Sequence, residues 1–327
     1  MKSYRIEQHG KVGLGGVVDM DPAALDPGDV LIKTRFSGIN YKDALAGLGG
    51  APIVRRYPCN GGIECVGAVE HSSDRRFQAG DHVIVHGHGI GVSHDGGLAE
   101  YMRVPGDWVM ALPEKLSEIE AATLGVAGYS AALAVDRLEA LGVTTGGLPV
   151  LVSGATGGVG AFCVAMLAAR GFSVLALSSK RNATDYLLNL GAAEVFTPDD
   201  LGDKPVEKAR WCGGIDAAGG PILAKMLAGT DRSGVVASIG NAAGIELSTT
   251  VLPFILRGVT LTGINADSPL ETRLRIWQRL ATDLKPPGLS QWAAEITLDE
   301  VPAFLQQMLD GQTTGRTVVA FGAEPTP

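Results

Sequence analysis

Two hydrophobic textures divide the chain. Between residues 30 and 109, short β-like runs at 30–35, 67–70 and 82–85 are separated by turn signals such as Pro27-Gly28-Asp29 and Ala79-Gly80-Asp81. That pattern predicts an all-β unit. From about Thr123 the pattern becomes apolar runs alternating with helical stretches. Strands are expected at 149–153, 173–178, 193–196, 214–217, 234–239 and 259–264, with helices at 158–170, 182–190, 221–228 and 252–256. Gly171 and Gly191 stand where helix C-caps belong. Six apolar strands joined by helical crossovers imply a doubly wound, parallel six-stranded sheet of Rossmann type. An amphipathic helix follows at 270–284. A strand–helix–strand at 294–321 is expected to return to the β unit. The predicted division is therefore 1–122 with 267–327 as one domain and 123–266 as the other.

Composition narrows the function. The chain has 327 residues, 46% hydrophobic and 19% charged, which excludes disorder and suits two domains. A formal charge of −8 lacks the basic footprint of a nucleic-acid binder. Cys59, Cys65, Cys163 and Cys212 form no C-x-x-C pair, so neither a disulfide framework nor a zinc knuckle is expected. Residues 140–169 are uncharged and long enough to cross a bilayer. Pro149 and the glycines between 154 and 160 instead predict a strand, a tight turn and a helix. Residues 1–10 carry no apolar signal stretch, and the expectation is a cytoplasmic protein without membrane contact.

The segment Val150-Leu-Val-Ser-Gly-Ala-Thr-Gly-Gly-Val-Gly160 ends a predicted strand and opens a helix. Ala155-x-Gly157-x-x-Gly160 is a variant of the dinucleotide fingerprint. Gly157 admits the pyrophosphate to the backbone, Gly160 lets helix pack on strand, and the amides of Gly157, Gly158 and Val159 favour an anion. The next strand ends Leu175-Ala-Leu-Ser-Ser-Lys-Arg181, without the acid that accepts from a ribose 2′-hydroxyl. Hydroxyls and cations there suit a 2′-phosphate, so NADPH is expected over NADH. Solvated loop charge is the plainer reading of Lys180 and Arg181.

A β unit, a nucleotide fold and a return segment together resemble the medium-chain dehydrogenase/reductase superfamily. The resemblance is carried by Ser37-Gly-Ile-Asn-Tyr-Lys-Asp43, Gly61-Gly-Ile-Glu-Cys-Val-Gly67, Ala79-Gly-Asp-His-Val83, Gly96-Gly-Leu-Ala-Glu-Tyr101 and residues 153–160. It implies a GroES-like first domain. Zinc members carry Gly-His-Glu where this chain has Gly62-Ile63-Glu64, and a cysteine where it has Gly38-Ile-Asn-Tyr41. Ile63 has no donor atom and Asn40 is a poor ligand, so no metal site is expected. His82, His86, His88 and His94 lack a supporting Cys or carboxylate set and read as loop or core histidines.

More narrowly, Arg76-Phe-Gln-Ala-Gly80, His94-Asp-Gly-Gly-Leu-Ala-Glu100, Gly106-Asp-Trp-Val109, Pro253-Phe-Ile-Leu-Arg257 and Gly315-Arg-Thr-Val318 resemble the acrylyl-CoA reductase group of the quinone oxidoreductase-like branch. That resemblance implies NADPH-dependent reduction of acryloyl-CoA to propanoyl-CoA. It places the cofactor over Tyr41, Thr156, Gly157, Gly158, Val159, Ser178, Ser179, Lys180, Asn241, Ile255 and Ala266, with Tyr41 as catalytic candidate. A phenol at neutral pH donates a proton but is a poor base; an ordinary half-buried aromatic is the alternative. His94 is a second possible donor, and Asn40 and Asp43 shape the turn. Some members hold the adenosine phosphate with an arginine after the third strand. Thr197-Pro198 stands there, with Arg181 as a possible substitute. Arg55, Arg56 and Arg316 are candidate cations for coenzyme A phosphates. Relatives pair as homodimers through the sheet edge, for which residues 245–264 are the expected segment. A quinone or enone reductase, and a non-catalytic cofactor sensor or RNA binder, remain as rival functions.

Overall fold

The computed structural model describes residues 1–322, and the chain divides into two compact units: Met1–Val126 together with the chain from Gly288 onward, and Ala127–Pro287. In the first unit, Lys2–His9 pairs antiparallel with Val12–Asp19 on one side and Cys59–Asn60 on the other. A larger sheet orders Ala293–Ile296, Arg316–Ala320, Val30–Gly38, Glu64–Ser72, His82–His86 and Val109–Ala111, with Tyr101–Val104 also on Val30–Gly38. Its ladders are antiparallel except between Ala293–Ile296 and Arg316–Ala320. Tyr4, Ile6, Ile39, Leu98, Val301, Leu305 and Val319 close one core. Val30, Ile32, Val69, Val85, Met102 and Val104 close another. Strand alternation puts Tyr4 with Ile6, Val30 with Ile32, and Met102 with Val104 on one face of their strands, while Val301 and Leu305 come from the helix Val301–Leu309.

The second unit is a parallel sheet ordered Glu194–Phe196, Val174–Leu177, Val150–Val152, Trp211–Asp216, Thr230–Ser238, Thr260–Gly263. In chain order that is 3-2-1-4-5-6, so the strand order reverses beside Val150–Val152, and ligands of such sheets bind beyond the carboxyl ends there. Val150–Val152 and Val174–Leu177 read as continuous apolar runs because both faces are covered. Residues 140–169 resolve into the strand Val150–Val152 and the helix Gly158–Ala169. Among the described residues no helix is long and apolar enough to cross a membrane.

Two features depart from the expected pattern. The helix Glu118–Ala140 was not foreseen; it is kinked at Gly125, whose φ of 47° and ψ of −151° are not helical. The units divide one residue beyond, at 126/127 rather than at 122/123. The return division falls at 287/288 rather than 266/267 because the helix Leu270–Leu280 packs within the sheet unit. Trp277 stacks on Tyr129 at 6.4 Å between ring centres. Arg279 reaches Asp136 and Glu139 at 2.9 and 2.8 Å.

Candidate functional site

In the sheet unit the strand Val150–Val152 ends in a turn whose left-handed residue is Gly154, at φ 58°. The first fingerprint position is therefore free to be Ala155, which is fully buried. A Cβ on Gly160 would lie 2.3 Å from the Gly154 carbonyl oxygen, whereas one on Gly157 would meet only that oxygen, at 3.4 Å. Gly160 thus serves close packing, and Gly157 leaves open space over the helix end. The helix Gly158–Ala169 has Gly157 as N-cap and no side-chain cap. The Gly157 amide, expected among the free donors, is taken by the Gly154 carbonyl at 3.0 Å, which leaves the first-turn amides of Gly158, Val159 and Gly160 without a carbonyl in their own helix, as any helix N-terminus does.

The expected edge of the adenosine site is assembled around one hydroxyl. Ser178 Oγ lies 3.3 Å from Thr156 Oγ1 and accepts from the Lys180 amide at 3.0 Å. Thr156 and Ser178 are buried, Ser179 is exposed and Lys180 is half-buried. Burial lowers the Lys180 pKa from its ordinary value. Arg181 pairs with exposed Asp199 at 3.2 Å, on the turn after the third strand. No acidic side chain lies between Leu177 and Thr184.

Asn241 and Ala266 follow the fifth and sixth strands at their carboxyl ends. Gly154, Ala217 and Gly240 bring three strand ends together: a Cβ on Gly154 or Gly240 would lie 3.4 Å from the Ala217 Cβ or 2.3 Å from its carbonyl oxygen, respectively. The cluster is pinned by Asp216, missed in the sequence, whose buried carboxylate accepts from Ser153 Oγ at 2.6 Å and from the Gly219 amide at 3.0 Å. Ile255 is 68% exposed, which removes core packing as its explanation.

In the β unit, Tyr41 is the first residue of the helix Tyr41–Gly47, with Asn40 as N-cap, and is 42% exposed. Asp43 is buried and its carboxylate accepts from the Asn40 amide at 2.8 Å. Burial is the main cause pushing its pKa up to about 7. The folded protein therefore holds a proton on Asp43 that the unfolded chain has released near pH 4. Stability from this group is fully present below about pH 4 and is lost as pH rises through about 7. An Asp43→Asn variant flattens that part of the curve of melting temperature against pH. An unchanged slope contradicts the assignment.

Arg316 is not a surface cation available to coenzyme A. It is 5% exposed and donates to Glu64 Oε1 (2.6 Å), Ile39 O (2.8 Å), Thr123 O (2.9 Å), Ala122 O (3.2 Å) and Asn40 Oδ1 (3.3 Å). Glu64, 3% exposed, uses its other oxygen to accept from the Val126 amide at 2.5 Å and from Asn40 Nδ2 at 3.2 Å. The sequence offered one partial signal, the glycines. A Cβ on Gly38 or Gly125 would fall 1.8 or 2.1 Å from Glu64 Oε1. Arg56 is also engaged, pairing with Asp26 and donating to Ser93 O. Arg55 is exposed.

The histidines serve other partners. His82 meets Glu118 at 2.8 Å, His88 stacks on Trp108, and His94 sits edge-on to the same indole with Nε2 3.3 Å from Pro27 O. Among the described residues no group of three or more His, Cys, Asp or Glu side chains could hold a metal ion.

Residues 26–114 match the alcohol dehydrogenase GroES-like domain, and residues 158–282 match the zinc-binding dehydrogenases. The metal in that second description does not fit the donors present: Ile63 offers none, and Glu64 is committed to Arg316. YhfP of Bacillus subtilis, which carries a provisional quinone oxidoreductase name, is 47% identical over 89% of both chains. Its structure with NAD bound superposes at a TM-score of 0.93, covering 98% of this chain and 99% of that one. The acrylyl-CoA reductase AcuI of Ruegeria pomeroyi is 40% identical over 97% of both chains. The structure of Escherichia coli YhdH with bound NADPH is 42% identical, with a TM-score of 0.94 over 97% of this chain and 99% of that one.

Proposed function

The chain belongs to the medium-chain dehydrogenase/reductase superfamily, in its quinone oxidoreductase-like branch, and from that premise we propose an NADPH-dependent, metal-free reductase of acryloyl-CoA. The observation that carries the substrate is the full-length likeness to the acrylyl-CoA reductase of R. pomeroyi. NADPH is supported by the NADPH-bound YhdH neighbour and by this chain's own Ser179 and Lys180 in place of an acid. The NAD-bound YhfP neighbour makes cofactor choice a matter for those residues rather than for the fold.

When bound, the dinucleotide supplies a hydride to the β-carbon of the conjugated thioester. The helix end at Gly158 takes up pyrophosphate charge, and Lys180 with Ser179 meets the 2′-phosphate. Thr156, Gly157, Val159, Ser178, Asn241, Ile255 and Ala266 complete the dinucleotide's surroundings. As the C=C electrons move onto the thioester oxygen, donors must meet that charge, and the α-carbon must receive a proton. Tyr41 is the proposed group for orienting the thioester or giving that proton. Arg55 is the remaining candidate for a coenzyme A phosphate. The net charge of −8 speaks against a general nucleic-acid partner. The edge strand Thr260–Gly263 and exposed Ile245, Val251 and Leu256 support a homodimer.

The test is kcat/KM with NADPH for acryloyl-CoA, a quinone and a free enone, with and without chelator. Acryloyl-CoA is expected to lead by at least about tenfold, which is roughly one and a half kcal/mol of transition-state binding, with chelator changing nothing. Equal values, or a quinone in the lead, favour the rival reductase.

A further inference from the structure

We infer that the buried Glu64–Arg316 pair is a positioning device for Tyr41, acting through the amide of Asn40. The inference rests on the reading of Tyr41 as the group that meets the substrate. A buried ion pair is poor evidence of stabilisation by itself, because desolvation offsets much of the attraction. Here the pair does something more specific. Asn40 stands immediately before Tyr41 and is held on both ends of its side-chain amide. Arg316 donates to its Oδ1 at 3.3 Å, and its Nδ2 donates to Glu64 at 3.2 Å. Arg316 also holds the carbonyl of Ile39 at 2.8 Å. The backbone entering Tyr41 is thus fixed from opposite charges, each buried and each hydrogen-bonded to partners distant in sequence.

The other partners of the pair are main-chain groups of residues 122, 123 and 126. Simple neutralisation of one carboxylate by one guanidinium would not need this arrangement. A flexible exposed phenol gains little catalytic precision unless its backbone is locked, and displacement of about 1 Å costs on the order of a hundredfold in rate. Asn40, Glu64 and Arg316 are positioning residues on this view; Tyr41 alone would touch substrate.

The test uses Asn40, since variants of the pair threaten folding. The full-length enzyme is assayed for kcat with NADPH and whichever acceptor turns over fastest. Tyr41→Phe is expected to lower kcat at least about tenfold. Asn40→Ala is expected to lower it about tenfold with Tyr41 present, but less than about twofold in the Tyr41→Phe background, since both act through one group. Asn40→Ser places a residue favoured at helix N-caps there but cannot bridge the pair; it should lose kcat as Asn40→Ala does. Additive losses in the double variant, or full kcat in Asn40→Ser, overturn the inference. A silent Tyr41→Phe overturns the reading of Tyr41 itself and, with it, the device.

Discussion

Arg316→Met is expected to destabilise the protein by about 3–5 kcal/mol, because it leaves the Glu64 carboxylate buried without a counter-charge. The cost arises from burial rather than from the attraction of the pair. Among the described residues Glu64 keeps the Val126 amide and Asn40 as donors to its side chain, and the methionine cannot replace the five contacts of the guanidinium. Glu64→Gln is expected to cost less, since four other oxygens still receive Arg316. The double variant should be more stable than Arg316→Met alone, because no isolated charge remains. Denaturant unfolding of the four proteins at one salt concentration gives the coupling directly. A loss below about 1 kcal/mol for Arg316→Met would mean that water reaches Glu64 and that the pair is not buried as described. Gly125→Ala should behave similarly, with a Cβ 2.1 Å from Glu64 Oε1 and a backbone φ of 47°.

Lys180→Ala should reduce kcat/KM for NADPH by about ten- to a hundredfold while changing the NADH value less than about twofold. A hydrogen bond to a charged group is worth about 1.5–3 kcal/mol, and a 2′-phosphate is the only part of the cofactor that distinguishes the two. Ser179→Asp should act in the same direction and raise NADH use, by supplying the acid that a ribose diol prefers and that a phosphate repels. Arg181 is exposed and already paired with exposed Asp199, so its removal should matter little. A parallel fall with both cofactors would show that Lys180 supports the loop rather than the phosphate.

The Rossmann half was legible because its physics is local. Apolar runs, Gly154 to Gly160, and C-cap glycines at 171 and 191 each announce an element without help from distant residues. The β unit was less so. Lys2–His9 buries Tyr4 and Ile6, yet its polar remainder masks the strand. The helix Glu118–Ala140 escaped because its apolar residues show almost no sidedness and a left-handed glycine breaks it. Arg316 was misread for a different reason. Charge suggests surface, and nothing adjacent to it in sequence reveals that its acceptors are carbonyls near residues 39 and 122 and a carboxylate at 64. The glycine turn between the strand Val150–Val152 and the helix Gly158–Ala169 could be placed from spacing alone, whereas this buried network needed the fold.

Isotope transfer reports where the cofactor's hydride lands on an enoyl thioester. Acryloyl-CoA is reduced with NADPH carrying deuterium at both C4 positions, in ordinary water, and the product is examined by NMR. One deuterium at C3 of propanoyl-CoA, with a solvent proton at C2, is the predicted result. Deuterium at C2, or a product without deuterium, contradicts the account.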